Sequence, residues 1–144
     1  MTDDRCDDES ISASVSCEMP RVLIADDSRL QRTVLASFLL PKKFEVVFAV
    51  DAMQTFMMAL RSSPNLILLD INMPGGTGIE VLKRLRVSNR TQQIPVIVVS
   101  SEEDPATELM ARELGAVDFL HKPVDEQTLA NVVDRVLGAE ATAT

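Results

Sequence analysis

Three short apolar runs, each stopped by a polar residue, constrain this chain more than any other feature. Val22-Leu23-Ile24-Ala25 runs into Asp26-Asp27, Leu66-Ile67-Leu68-Leu69 into Asp70, and Pro95-Val96-Ile97-Val98-Val99 into Ser100. The runs are continuous rather than alternating, so both faces of each strand must be covered, as in a parallel sheet flanked by helices. Phe44-Glu45-Val46-Val47-Phe48 and Val117-Asp118-Phe119-Leu120 are weaker runs, expected nearer the sheet edges.

Helical patterns fill the gaps. Leu30, Val34, Leu35, Phe38 and Leu39 share one helical face behind a capping box of Ser28 and Gln31. Met53, Phe56, Met57 and Leu60 do so behind Asp51 and Gln54, which marks the methionines as core filling, with Met58 off that face and partly exposed. Ile79, Leu82 and Leu85, flanked by Val81, follow the pair Thr77 and Glu80. Pro105 and Gly115 bracket a fourth helix, and Asp125 caps a fifth carrying Leu129, Val132, Val133 and Val136.

Five βα units in a row predict an α/β fold, a doubly wound parallel sheet with right-handed crossovers. With five strands the expected topology is the flavodoxin-like (βα)5 arrangement, strand order 2-1-3-4-5. The domain is expected to span 21–138. An acidic N-terminal tail without hydrophobic period, expected to be disordered, covers 1–20, and a short C-terminal tail covers 139–144. Cys6 and Cys17 both fall in the N-terminal tail and are read as free thiols. The acidic, polar N-terminus resembles neither a signal nor a transit peptide, and no apolar run approaches bilayer length, so a cytoplasmic protein is expected. A net charge of -8 argues against nucleic acid as a partner.

In an open α/β sheet, ligands bind beyond the carboxyl ends of the strands, where strand order reverses. Strands 1 and 3 adjoin at that reversal, so Asp26, Asp27 and Asp70 should converge in one crevice. Two like charges about 4 Å apart repel by roughly 1–4 kcal/mol, so three carboxylates need compensation. A hard divalent cation, Mg²⁺ where phosphate is handled, together with Lys122 just past strand 5, would balance them. Asp70 is the candidate nucleophile, since a carboxylate can take up a phosphoryl group as an acyl phosphate. Ser100 offers a hydroxyl to the arriving oxygens. Each residue alone reads as a cap, a turn or a loop. Their shared placement at strand carboxyl ends favours the chemical reading.

Asp26-Asp27, the segment Asp70-Ile71-Asn72-Met73-Pro74-Gly75 with Gly78, then Ser100 and Lys122-Pro123 occur in this order from Arg21 to Gly138. On these motifs the chain resembles the receiver domain of bacterial two-component response regulators, of the single-domain, chemotaxis-regulator kind. The resemblance implies that Asp70 is the phosphoacceptor. It implies that Asp26, Asp27 and Asp70, with the backbone carbonyl of Asn72, hold Mg²⁺, Asp27 being the favoured direct ligand among the acidic pair. Ser100 matches the switch hydroxyl, Lys122 the phosphate-binding lysine and Phe119 the switch aromatic. Phe119 lacks the hydroxyl of the Tyr often found there, so its inward rotamer should be favoured without phosphate. Ser101 stands where the family prefers a smaller residue and should narrow access slightly. Asn72 and Glu102 match positions that tune acyl-phosphate hydrolysis, and their pairing implies a fast-resetting switch.

The implied partners are a histidine kinase or histidine phosphotransfer protein as donor, docking near Arg29 and Arg32, and a downstream protein target. That target would read the surface of the fourth helix, fifth strand and fifth helix. Because the sequence stops at Thr144, binding rather than transcription is the expected output, with a receiver excised from a larger regulator as the alternative. An aspartyl-nucleophile phosphatase is a weaker expectation, because such enzymes of the haloacid dehalogenase type carry a second Asp where this chain has Asn72. A nucleotide-binding module is weaker still, because Ala25-Asp26-Asp27-Ser28-Arg29 is acidic where a phosphate loop needs bare amides. His121, the only histidine, is expected at the surface or strand edge.

Overall fold

The computed structural model describes residues 19–73, 76–101 and 104–143. Five parallel strands form one sheet: β1 (Arg21–Ala25), β2 (Glu45–Ala49), β3 (Leu66–Asp70), β4 (Val96–Ser100) and β5 (Asp118–His121). Their spatial order is β2-β1-β3-β4-β5, the order expected from the alternation of patterns. Every residue of β3 and β4 is buried, as their unbroken apolar runs require, while β2 at one edge is half exposed. Each strand begins or ends within a residue or so of the expected position.

The helices are α1 (Arg29–Leu39), α2 (Ala52–Ser62), α3 (Gly78–Val87), α4 (Pro105–Glu113) and α5 (Glu126–Ala143). A single 3₁₀ turn, Leu40–Lys42, closes α1. The caps are those read from the sequence. Ser28, Asp51 and Thr77 each accept a hydrogen bond from the amide three residues on, and Asp125 accepts from the Thr128 amide. One core layer lies under α1 and α5, built on Val22, Ile24, Leu68 and Leu129. The other lies under α2, α3 and α4, built on Leu23, Leu69, Leu82 and Val98.

The face of α2 differs from the expected one. Ala52, Thr55 and Ala59 point inward, Phe56 and Met58 pack at the margin, and Met53 and Met57 are exposed, at 67% and 43%. Two helical stripes one residue apart compete here. The small residues win because they let the helix approach the sheet closely, which the bulkier Met stripe would prevent. Leu30, expected on the buried face of α1, is likewise exposed, because Leu35, Ala36 and Leu39 set that face.

A short antiparallel hairpin, Asn72–Met73 against Gly76–Thr77, was not expected from the sequence. Helix α5 runs through Gly138 to Ala143. A helical glycine costs about 1 kcal/mol against alanine but does not terminate a helix by itself.

Two glycines separate cleanly in consequence. A Cβ on Gly78 would stand 2.6 Å from the Asp70 carbonyl oxygen and 2.8 Å from Ile71 Cα, whereas one on Gly138 would meet nothing within 4 Å. Gly78→Ala is therefore expected to destabilise the fold by about 2–3 kcal/mol through backbone overpacking. Gly138→Ala is expected to stabilise it by about 0.5–1 kcal/mol. Urea unfolding of the two variants against the wild type measures both.

Candidate functional site

The site is assembled from the carboxyl ends of four strands. Asp26 follows β1, Asp70 ends β3, Ser100 ends β4 and Lys122 follows β5. Asp26, Asp27 and Asp70 each place a carboxylate oxygen within 4.8 Å of the others. Asp26 and Asp70 are buried, at 2% and 4% exposure, and Asp27 is exposed at the rim.

Backbone hydrogen bonds fix these positions. The Asp26 amide donates to the Ala49 carbonyl at 3.0 Å, and the Arg32 guanidinium donates to the Asp26 carbonyl at 2.9 Å. The Ser28 amide donates to Asp26 Oδ1 at 2.9 Å, and the Asn72 amide donates to Asp70 Oδ1 at 3.2 Å. The Gly78 amide donates to the Ile71 carbonyl at 2.7 Å and pins the turn after β3 against the start of α3. The Lys122 amide donates to the Ser100 carbonyl at 2.8 Å, so the lysine is tied to the end of β4. The Lys122–Pro123 peptide bond is cis.

Lys122 Nζ lies 3.0 Å from Asp26 Oδ2 and 3.4 Å from Asp70 Oδ1, bridging the two buried acids. Burial raises the Asp70 carboxyl from its ordinary 3.8 to about 6, and the nearby Asp26 charge adds to the rise. Lys122 and the Asn72 amide pull in the other direction but do not cancel it. For Lys122, burial works to lower the ammonium's pKa. The hydrogen bond to Asp26 and the charges of Asp70 and Asp26 outweigh burial, and the net shift is upward. Lys122 is thus held as a cation, and one ammonium faces three carboxylates. The donor set is all oxygen, crowded and under-neutralised, which fits a hard divalent cation better than a soft or redox metal.

Apart from Glu102, each site residue expected from the sequence falls among the described residues. Asp26, Asp27, Asp70 and Lys122 come together. Ser100 is buried at the neighbouring strand end. Asn72 is exposed beside Asp70 on the hairpin. Phe119 packs inward among the core residues, with its ring centroid 5.3 Å from that of the exposed His121. Glu102, Pro74 and Gly75 lie outside the described residues. Arg29 is exposed on α1, whereas Arg32, expected on the same open face, is engaged in holding the Asp26 backbone. That role went unread in the sequence. The signal for it was an arginine one helical turn past the cap of a helix that starts directly beneath two acids.

Comparisons with known proteins bear on the family and the fold. The two-component response regulator ORR11 of rice (Oryza sativa subsp. japonica) is 40% identical over 120 residues, covering 82% of this chain and 81% of its own length. Among solved structures, the chemotaxis protein CheY4 of Vibrio cholerae superposes with a TM-score of 0.77 at 29% identity, covering 83% of this chain and 99% of its own. The receiver domain of the sensor histidine kinase PA1611 from Pseudomonas aeruginosa shares the fold, with a TM-score of 0.77 at 21% identity over 84% of this chain and 99% of its own. In that protein a magnesium ion is coordinated in the active-site cleft. The family model described as the response regulator receiver domain matches residues 22–134, which takes in the whole acidic pocket and its lysine; the chain belongs to that family.

Proposed function

We propose that this protein is a stoichiometric phosphoryl acceptor in a two-component or phosphorelay pathway, rather than a turnover enzyme, with Asp70 as the acceptor. The observation that carries the reading is the buried Asp70 carboxyl, held within ion-pair reach of Lys122 and within 4.8 Å of the Asp26 and Asp27 carboxylates. The donor is a phosphohistidine on a histidine kinase or histidine phosphotransfer protein. An Asp70 carboxylate oxygen attacks phosphorus, the phosphorus–nitrogen bond breaks, and the departing imidazole takes up a proton. An acyl phosphate remains on Asp70. A carboxyl with its pKa near 6 is mostly ionised at neutral pH and so can attack.

Asp26, Asp27, Asp70 and the Asn72 carbonyl would hold Mg²⁺, which when bound neutralises charge on the phosphoryl oxygens. Lys122 supplies a second positive charge to the same oxygens and a charge-assisted hydrogen bond. The Ser100 hydroxyl, at the adjacent strand end, hydrogen-bonds another phosphoryl oxygen. Phosphoryl transfer needs little beyond this positioning and neutralisation.

The new contacts exist only in the phosphorylated state, so they bias the molecule towards whichever packing brings Ser100 and Lys122 closest to Asp70. Movement at Ser100 passes to the segment leading into α4, and movement at Lys122 passes into β5 and α5. The α4-β5-α5 surface is therefore the one offered to a downstream protein. Phe119 already packs inward, so the change there is a tightening of an occupied position.

Acetyl phosphate with Mg²⁺ tests the assignment. Intact mass should rise by one phosphoryl group in the wild type and stay unchanged in Asp70→Asn. With Asn72 and Glu102 tuning hydrolysis, the adduct should decay within minutes. A label that persists for many hours would remove the fast-reset part of the reading. Catalytic turnover of a small phosphate ester without labelling would remove the whole.

The raised Asp70 pKa has a signed consequence for stability. The folded state holds that proton more tightly than the unfolded chain does. The group's contribution is therefore intact below about pH 4, declines as pH rises towards about 6, and is absent above. In EDTA at pH 7.5, Asp70→Asn should be more stable than wild type by roughly 1–3 kcal/mol, and the difference should shrink at pH 4. Added Mg²⁺ should stabilise the wild type more than the variant. Denaturant unfolding at the two pH values, with and without the ion, reads all three.

A further inference from the structure

The inference concerns the α2–α3 face, remote from the chemistry proposed for Asp70. Two contacts join the outer edge of α2 to α3 and to the turn that follows it. The Arg84 guanidinium sits over the Phe56 ring, 4.5 Å from its centroid, and Arg90 donates to the Leu60 carbonyl at 2.9 Å. Arg61 lies next to Leu60 in the last turn of α2. Arg61, Arg84 and Arg90 are all exposed, and among the described residues none has a carboxylate within ion-pair distance. Elsewhere on the surface Arg21, Arg112 and Arg135 each have an acidic partner. Met53 and Met57 share the flank of α2 that carries Phe56 and Leu60 and are exposed beside these arginines, as is Val87 at the end of α3. The face is therefore basic and apolar on a chain whose net charge is -8.

The acidic complement belongs to the same chain. Residues 1–18 contain Asp3, Asp4, Asp7, Asp8, Glu9 and Glu18 against a single base, Arg5, with Ile11 and Val15 between. The chain also enters the fold at the right place. The Arg21 guanidinium donates to the carbonyl of Ser62, the last residue of α2, and the Arg21 amide donates to Asn65 Oδ1 at 2.8 Å. The N-terminal segment thus joins the domain beside the end of α2, next to Arg61. From Arg21 back to Glu9 an extended chain reaches up to about 40 Å, more than twice the roughly 16 Å length of α2.

We propose that the acidic N-terminal segment docks on the α2–α3 face, setting Asp3, Asp4, Asp7, Asp8 and Glu9 against Arg61, Arg84 and Arg90. Each exposed ion pair is weak. The tether holds the two surfaces at an effective concentration in the mM range, which is enough to populate a docked state from weak contacts. The segment then screens Met53 and Met57 from solvent and competes with any acidic protein that would use this face. Salt opens the contact.

Cys6 and Cys17 are the only cysteines in the chain, so a spin label can be placed within the acidic cluster at Cys6 once Cys17→Ser is made. In the full chain at low salt, paramagnetic broadening should be several-fold stronger at the amides of Arg61, Arg84 and Arg90 than at Arg29 and Arg135 on the other side of the sheet. It should fade in 0.5 M NaCl, where the Debye length is about 4 Å, and in the double variant Arg61→Gln, Arg90→Gln. Equal broadening on both faces, a maximum at Lys42–Lys43, or indifference to salt would overturn the proposal. The salt titration of the otherwise unaltered labelled chain decides the matter even if the double variant folds poorly.

Discussion

The contact on which the rest of the molecule depends is Lys122 between Asp26 and Asp70. Its ammonium stands 3.0 and 3.4 Å from oxygens of two acids that are almost fully buried. Without it, two like charges would face one another in a poorly solvated crevice with Asp27 close by. A repulsion of several kcal/mol would then weigh on a fold whose whole stability is of order 10 kcal/mol. With it, the three strand ends are drawn together but not neutralised. Burial, with the Asp26 charge adding to it, still raises the Asp70 carboxyl. A site left short of positive charge in this way suits a divalent cation, and under the proposed function it would be loaded differently once a phosphoryl group arrived. Both responses begin from the same incomplete pairing.

The sheet makes that arrangement affordable. β1, β3 and β4 lie side by side with their apolar residues fully buried on both faces, so the positions of Asp26, Asp70 and Ser100 are set by the most rigid part of the domain. Local chemistry then refines them. The Ser28 and Asn72 amides orient the two buried carboxylates, Arg32 grips the Asp26 carbonyl, and the bare Cα of Gly78 allows α3 to start against the Asp70 backbone. A charged cluster on loops alone would relax apart, whereas here the cost of separation includes the ladder hydrogen bonds of the central strands.

Much of this was legible in the sequence because the signals were local. Continuous apolar runs identify strands buried on both sides, and the polar residue that stops each run must sit at a strand end. The cap residues Ser28, Asp51, Thr77 and Asp125 mark where helices start with near-residue accuracy. What could not be read depended on contacts between elements. The inward face of α2 was ambiguous because two stripes, Ala52-Thr55-Ala59 and Met53-Met57-Leu60, both have helical spacing, and only the tight approach to the sheet selects the smaller one. Arg86 gives no signal in sequence. It nevertheless donates to the carbonyls of Gln92, Ile94, Leu114 and Gly115 at 2.9–3.1 Å, binding the end of α3 to the turn after α4.

Helices α3 and α4 are anchored differently. Five residues of α3 are buried in the core, whereas α4 buries only Ala111. Polar contacts at its two ends hold α4 instead. Asp104 caps its start, and at its finish Arg112 meets both Glu108 and Asp118 while Arg86 holds the Leu114 and Gly115 carbonyls. Asp118 is shared with Arg135, so α4, β5 and α5 are joined through one carboxylate. Exposed ion pairs of this kind are each worth about 0–1 kcal/mol and re-form at small cost in a shifted geometry. Displacing a helix with four buried side chains, those of Ile79, Val81, Leu82 and Leu85, would instead open cavities costing several kcal/mol. Under the proposed function, a phosphoryl group near Ser100 would therefore shift α4 at less cost than α3.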